Sequence, residues 1–291
     1  MKLPRLKRRI NTLTALLFSA CLLLSLSGCS NLTSLFFYPQ QQYVRTPADI
    51  NVAYEEIKTV TADGVEINSW FLPASLSEEA NQQSDESPVV LFLHGNAENI
   101  STHIGSVYWL PEKGINVLLM DYRGYGSSQG EPYVPAIFQD VESTLIWLRA
   151  RFPERKIFIL GQSIGSAIAT TSMALFQHEY QLSGLILDAS FTGYRDIAQE
   201  VTGRHVITWL VWPLTWLLPT QWDPKEVIAD ISPSPILMFH SEKDPVLPYE
   251  LGFELYTAAQ EPKQWQTSEG GHIQTFNFEQ YRDILVDFLT Q

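Results

Sequence analysis

The stretch FILGQSIGSAIA, residues 158–169, limits the possible folds of this chain more than any other. An apolar run, KIFIL, stops at Leu160, and a run suited to a helix, SAIATTSMAL, begins at Ser166. Gly161-Gln162-Ser163-Ile164-Gly165 lies between them. A strand that passes into a helix over five residues must turn sharply, and flanking glycines remove the Cβ clashes that such a turn creates. Ser163 then projects at the helix N-terminus. Free amides and the positive end of the helix dipole favour a negative oxygen there, with the N–H of Ile164 the nearest donor. Serine in this position also serves as an ordinary helix N-cap, so the pentapeptide alone leaves both roles open.

The rest of the chain repeats the strand-then-helix order. Alternating or continuous apolar runs predict strands near 54–60, 65–71, 89–93, 117–119, 156–160, 185–187, 236–239 and 264–267. Helical periodicity appears near 103–112, 134–151, 165–177, 250–260 and 276–289. Short runs such as VVLFL, apolar throughout, suit strands covered on both faces, and their alternation with helices implies a mostly parallel α/β sheet flanked by helices. With 291 residues and 45% apolar side chains, the chain can bury one large core. One domain over 53–291 is expected, with a solvated acidic loop at 74–87.

The first thirty residues read as an address. Lys2, Arg5, Lys7, Arg8 and Arg9 precede a largely apolar stretch from Ile10 to Leu26, and Leu26-Ser27-Gly28-Cys29 resembles the lipobox of bacterial lipoproteins. The resemblance implies a signal peptide over 1–28, acylation of Cys29 and a lipidated tether over 29–52 holding the protein to a membrane. An uncleaved anchor is the alternative reading. Ser30 after the cysteine resembles the sorting signal for the outer membrane of a bacterial envelope, facing the periplasm. The net charge of −13 includes those N-terminal cations, so the remainder is more acidic still, and attraction to nucleic acid is excluded. Cys21 and Cys29 are the two cysteines, both in the leader, which leaves no thiol for a disulfide or a cysteine zinc site in the domain.

Other stretches bear on Ser163. The strand VVLFL runs into His94-Gly95-Asn96-Ala97-Glu98-Asn99, where the glycine permits close backbone approach and the N–H of Asn96 can face the same oxygen as that of Ile164. His94 itself reads as a structural residue. One later strand runs into Asp188, the next into Glu242-Lys243-Asp244, and Ser268-Glu269-Gly270-Gly271-His272 sets an imidazole on a glycine loop before the last helix. The order Ser, Asp, His, together with LHGNAENI, DYRGYGSSQG, GQSIG, HSEKDPVLP and GGH, resembles the α/β-hydrolase superfamily from about Tyr54 onward, and within it the membrane-associated α/β-hydrolase-domain serine hydrolases. The resemblance implies Ser163 as nucleophile, His272 as base, Asp244 as acid with Asp188 its rival, and Asn96 and Ile164 as oxyanion amides. It also gives DYRGYGSSQG the role of bracing the nucleophile turn. Asp121 and Arg123 in that loop are expected to form a structural ion pair. A serine hydroxyl needs an imidazole to take its proton, and the imidazole needs a carboxylate to hold its tautomer, so these residue types suit each other. No histidine–carboxylate spacing suggests a metal, and no cofactor is expected.

Between Ser190 and Pro233 the repeating pattern lapses, and a small helical cap insertion is expected over about 191–232. Its centre, HVITWLVWPLTWLLPTQW, places Trp209, Trp212 and Trp216 at helical spacing, with Pro213 interrupting. These indoles read either as cap core or as an acyl-binding wall. The sequence thus predicts a membrane-tethered serine hydrolase of esters or thioesters, with an acyl substrate that is itself membrane-borne. A peptidase of the same fold, or an envelope lipoprotein that keeps the scaffold without catalysis, are the alternatives.

Overall fold

The computed structural model describes residues 32–75, 87–203 and 208–291. Cys29 and the leader lie outside these residues, and Trp209 is described by its backbone alone. Eight strands form the main sheet: β2 (Glu55–Val60), β3 (Glu66–Leu72), β4 (Val89–Leu93), β6 (Asn116–Met120), β7 (Ile157–Gln162), β8 (Leu182–Asp188), β9 (Ile236–Ser241) and β10 (Lys263–Ser268). Their spatial order is β10-β9-β8-β7-β4-β6-β3-β2, parallel except where β3 runs antiparallel to β2 and β6. A further pair, β1 (Tyr38–Pro39) with β5 (Ala97–Glu98), lies apart from this sheet. The strands match the expected runs to within a few residues.

Two-sided burial explains why a central strand such as β4 is apolar throughout, whereas the edge strands β2 and β10 carry charged and polar residues. Val89, Leu91 and Leu93 of β4 feed one core, with Ile137, Val141 and Leu145 of helix α1 (Ala136–Arg151) and Ile168 and Met173 of α2 (Ile164–Phe176). Val90 and Phe92 point the other way, into a core shared with Leu285, Phe288 and Leu289 of the C-terminal helix Glu279–Thr290. Side chains of period two on a sheet covered on both sides leave no polar face.

Two segments differ from expectation. The helix predicted over 103–112 is instead a four-residue turn, Ile100–His103, followed by 3-10 turns Ile104–Ser106 and Pro111–Lys113. Pro111 lacks an amide for a helix interior and Gly114 adopts a positive φ of 78°, so the segment cannot run on as one helix. The segment expected as a tether is also packed on the domain from Leu32 onward, more extensively than its apolar Leu35–Tyr38 suggests. Phe37 joins the core, and Thr33 Oγ1 donates to the Val134 carbonyl at 3.2 Å and accepts from its N–H at 2.9 Å.

The helical insertion between β8 and β9 comprises α3 (Tyr194–Gly203), a 3-10 turn over Thr208–Leu217, and short turns Pro224–Val227 and Ile228–Ile231. It overlies the carboxyl ends of the parallel strands, where Phe191, Ile197 and Leu218 border the same cavity as Ser163.

Candidate active site

Parallel register brings the sequence-distant residues to one edge. Leu93 lies opposite Gly161, Gln162 opposite Asp188, Asp188 opposite Phe239, and Ser268 opposite Ser241. The turns that follow β4, β7, β8, β9 and β10 therefore emerge side by side, as loops at the carboxyl edge of an open α/β sheet do.

Ser163 adopts φ 56° and ψ −123°, a conformation that is costly for a residue with a Cβ. Its N–H is held by the Asp188 carbonyl at 3.0 Å. The glycines on either side are steric requirements. A Cβ on Gly165 would lie 2.2 Å from the Leu93 carbonyl oxygen, and one on Gly161 would lie 2.3 Å from that of Gly165. The start of α2 thus presses against the end of β4. The Ser163 hydroxyl makes no N-capping hydrogen bond; it lies 2.9 Å from Nε2 of His272. That geometry separates it from an ordinary N-cap.

Nδ1 of His272 is 2.7 Å from Oδ2 of Asp244, whose side chain is 1% exposed. The other carboxylate oxygen, Oδ1, accepts the N–H groups of Val246 at 2.8 Å and Leu247 at 3.0 Å, which fixes the turn DPVLP. Burial alone would raise the Asp244 pKa, but the His272 hydrogen bond and charge and these two amides outweigh it and hold the carboxyl below its ordinary value. Asp188, the rival, faces elsewhere: it accepts from Gln162 Nε2 at 2.7 Å and from Thr275 Oγ1 at 2.7 Å. It is fully buried, and burial pushes its pKa up to about 6. Ser163, Asp244 and His272 are therefore in hydrogen-bonded sequence, and Asp188 ties β7 to the loop behind His272.

The turn at Gly95-Asn96 lies against Ser163; a Cβ on Gly95 would be 3.7 Å from Ser163 Cβ. As the first residue of α2, Ile164 has an amide with no intrahelical acceptor. The loop 121–130 braces the turn of Asn96 rather than that of Ser163. Tyr125 Oη donates to the Asn96 carbonyl at 2.5 Å, and Tyr122 Oη donates to that of His94 at 2.9 Å. Tyr38 N–H meets Asn96 Oδ1 at 3.1 Å.

Asp121 and Arg123 do not pair. The turn closed by Tyr125 N–H on the Tyr122 carbonyl directs Arg123 to Asp140 and Asp63, at 2.8 and 3.0 Å. Asp121 stays at the end of β6, accepting Ile100 N–H and the Tyr43 hydroxyl, both at 2.9 Å, and burial raises its pKa to about 7. His94 is completely buried. Burial, followed by the neighbouring His103, lowers its pKa far below the usual imidazole value, so it is neutral.

A cavity of about 960 Å³ opens from Ser163 and His272. Its walls are largely apolar, and among the described residues Glu98 is its one carboxylate. Trp212 and Trp216 are not among its lining residues. They pack on each other with ring centroids 6.5 Å apart, and the Arg195 guanidinium sits 5.0 Å above Trp216. Leu214 and Leu217 line the cavity instead. The turn is wound as a 3-10 helix, about 120° per residue, so positions three apart eclipse, whereas the expected seam assumed the α-helical period. Sequence reasoning also missed His103, whose Nε2 lies 3.0 Å from the Ala97 carbonyl on the cavity wall, and, although apolar Leu35–Tyr38 offered itself for packing on the domain or the bilayer, the place of Leu32–Tyr38 in the cavity. His103 had a weak signal, its position shortly after the HGN turn; the N-terminal segment had only its apolar Leu35–Tyr38.

An eight-stranded sheet with one antiparallel strand, a serine on a strained strand-to-helix turn and a cap over the strand ends define an α/β-hydrolase. The chain belongs to the Hydrolase_4 family, whose description is serine aminopeptidase, S33, and whose match covers residues 84–233. It is 32% identical over 265 residues to the uncharacterized protein YfhR of Escherichia coli K12, covering 88% of this chain and 86% of that one. It is 29% identical over 265 residues to protein bem46 of Schizosaccharomyces pombe, covering 87% and 83%. Among solved structures, the esterase Pf2001 of Pyrococcus furiosus superposes with a TM-score of 0.69 at 19% identity, over 88% of this chain and 97% of the other, a likeness of fold.

Proposed function

We propose that this chain is a serine hydrolase that cleaves a carboxylic ester or thioester through an acyl-enzyme, and that a lipid on Cys29 holds it to a membrane of the bacterial envelope, the outer one facing the periplasm. The observation that carries the reading is the pair of contacts on one imidazole: 2.9 Å from Nε2 to Ser163 Oγ and 2.7 Å from Nδ1 to buried Asp244. With Nδ1–H donated to the carboxylate, Nε2 is free to accept the serine proton. Ser163 Oγ then attacks the acyl carbonyl while its proton moves to Nε2. The oxyanion is received by the N–H groups of Asn96 and Ile164. Collapse breaks the bond to the alcohol or thiol, which leaves with that proton. Water repeats the sequence on the acyl-serine, giving its proton to Nε2, and the carboxylic acid departs as Ser163 recovers the proton.

Esters and thioesters are favoured over an N-terminal peptide. A site for a free α-ammonium needs buried carboxylates, and Glu98 on the cavity wall is exposed. The non-catalytic alternative is disfavoured by a strained serine that would otherwise cost stability for no return. The test is labelling with a fluorophosphonate probe. Wild type is expected to be labelled and Ser163→Ala to be blank with an unchanged melting transition; equal labelling of the variant would remove the mechanism.

A further inference from the structure

The segment expected to be a tether forms one wall of the cavity that ends at Ser163. Leu32, Leu35, Phe36 and Tyr38 line it on one side, and Leu214 and Leu217 of the cap face it from the other. This wall is anchored. Beyond the Thr33 bonds, Phe36 packs edge-on against Tyr194 at 5.4 Å, and β1 pairs with β5 through Tyr38↔Ala97 and Pro39↔Glu98, next to the Asn96 turn.

Among the described residues the rim of the cavity is mostly apolar and exposed, with Glu98 its one carboxylate. Leu35 is 70% exposed, Tyr38 63%, Leu214 60% and Leu217 58%, and Leu210 on the same cap turn is 74% exposed. Two elements distant in sequence thus present a joint apolar surface around the mouth, and none of these side chains is charged. Such a patch marks an interaction surface. The chain itself says what covers it, since the lipobox-like Cys29 lies just N-terminal to Leu32, where the chain enters this rim. Only Ser30 and Asn31 separate Cys29 from Leu32, a reach of about 10 Å at full extension. A membrane-held N-terminus can therefore set only this face on the bilayer.

We infer that the rim rests on a lipid surface and that the cavity takes one acyl chain of a bilayer lipid, drawn in directly past Leu32–Tyr38, with this segment and Leu214 and Leu217 setting chain length. The inference rests on the hydrolase reading. At about 960 Å³ the cavity lies near the upper end of the range for small-ligand pockets, roughly 300–1,000 Å³, and its apolar walls offer a chain far more than they offer an acetyl group. Each methylene that enters is worth about fourfold in binding.

The experiment uses the full-length protein reconstituted in phosphatidylcholine vesicles, with 4-methylumbelliferyl palmitate in the bilayer, and the octanoate and acetate esters in solution. Wild type is expected to prefer palmitate to acetate by on the order of a hundredfold or more in kcat/KM. Leu35→Asp with Leu217→Asp should lower that ratio at least tenfold, and both side chains are exposed, so the fold does not depend on them. Ala198→Trp, which fills the cavity from α3, should shift the preferred ester from palmitate toward octanoate. A palmitate preference that survives the double variant and Ala198→Trp would overturn the inference, as would octanoate turned over freely while vesicle-borne palmitate is not. Failure of every ester together with absent fluorophosphonate labelling would remove the hydrolase reading itself.

Discussion

Asp244, in the turn three residues beyond β9, and Asp188, the last residue of β8, are two carboxylates with opposite electrostatics. The first is held ionised by an imidazole and two amides; the second is pushed up to about 6 by burial. Asp244→Asn should lower kcat on the order of a thousandfold or more by presenting the wrong partner to Nδ1, and steady-state kinetics on a soluble ester measures it. Asp188→Asn should cost far less in kcat than Asp244→Asn. Asp121 supplies a test by pH. Its folded pKa of about 7 lies above the unfolded carboxylate value, so its stabilisation is present at low pH and is lost as pH rises through 7. His94, His103 and His240 are shifted downward and pull the opposite way below about pH 6.5, so the readout is the difference between proteins. Asp121→Asn should gain urea midpoint relative to wild type between pH 5 and pH 8. These neighbourhoods were only partly legible: Ser163 and His272 could be chosen by type and chain order, Asp244 over Asp188 only by the resemblance of DPVLP to the family turn, and Arg123 was assigned to nearby Asp121 because its partners Asp63 and Asp140 lie far from it in sequence.

Among the elements, the strand-turn-helix at Ser163 was the most legible because its glycines are demanded by contacts with a neighbour as well as by the turn. Gly165→Ala would set a methyl 2.2 Å from the Leu93 carbonyl oxygen and force α2 away from β4, separating the Asn96 and Ile164 amides proposed to receive the oxyanion. A displacement of about 1 Å at such a site costs on the order of a hundredfold in rate. Gly165→Ala should therefore lose at least that in kcat/KM, whereas Gly105→Ala, whose Cβ would meet nothing within 4 Å, should keep it. The strands were legible for a simpler reason. Residues such as Leu91 and Phe92 enter opposite cores, so every position in the run must be apolar, and no helix period arises to compete. The cap was not legible in this way. Its tryptophans invited an α-helical seam, and the 3-10 winding carries Leu214 and Leu217 to the cavity instead, a local choice of hydrogen bonding that side-chain types do not encode.

For the whole molecule, the join between leader and domain matters most. Polar composition around Gln40–Gln42 reads as a linker, yet the Gln40 and Gln42 carbonyls both accept from Asn99 Nδ2 at 2.9 Å, and Tyr43 Oη reaches Asp121. Long-range partners of this kind leave no mark in a local window. Among the described residues no helix is long and apolar enough to cross a membrane; the attachment proposed above rests on Cys29. Cys29→Ser should abolish metabolic labelling by a fatty-acid analogue, and persistent labelling would refute lipidation there. Two truncations then separate anchoring from folding. A chain starting at Leu32 keeps every described contact and should melt as the full protein does. A chain starting at Gln41 loses buried Phe37, the Thr33–Val134 bonds and the β1–β5 pairing. Burying a phenylalanine contributes about 2 kcal/mol, and the hydrogen bonds add about 1 kcal/mol each, so the sum is a few kcal/mol. For a domain of this size each kcal/mol moves the Tm by about 2–4 °C, which places the shorter chain on the order of 10 °C lower by calorimetry. It also loses the Tyr38 support on Asn96, so its turnover of even a short ester should fall below that of the chain starting at Leu32. Equal melting of the two truncations would show that Leu32–Pro39 lies on the domain without stabilising it.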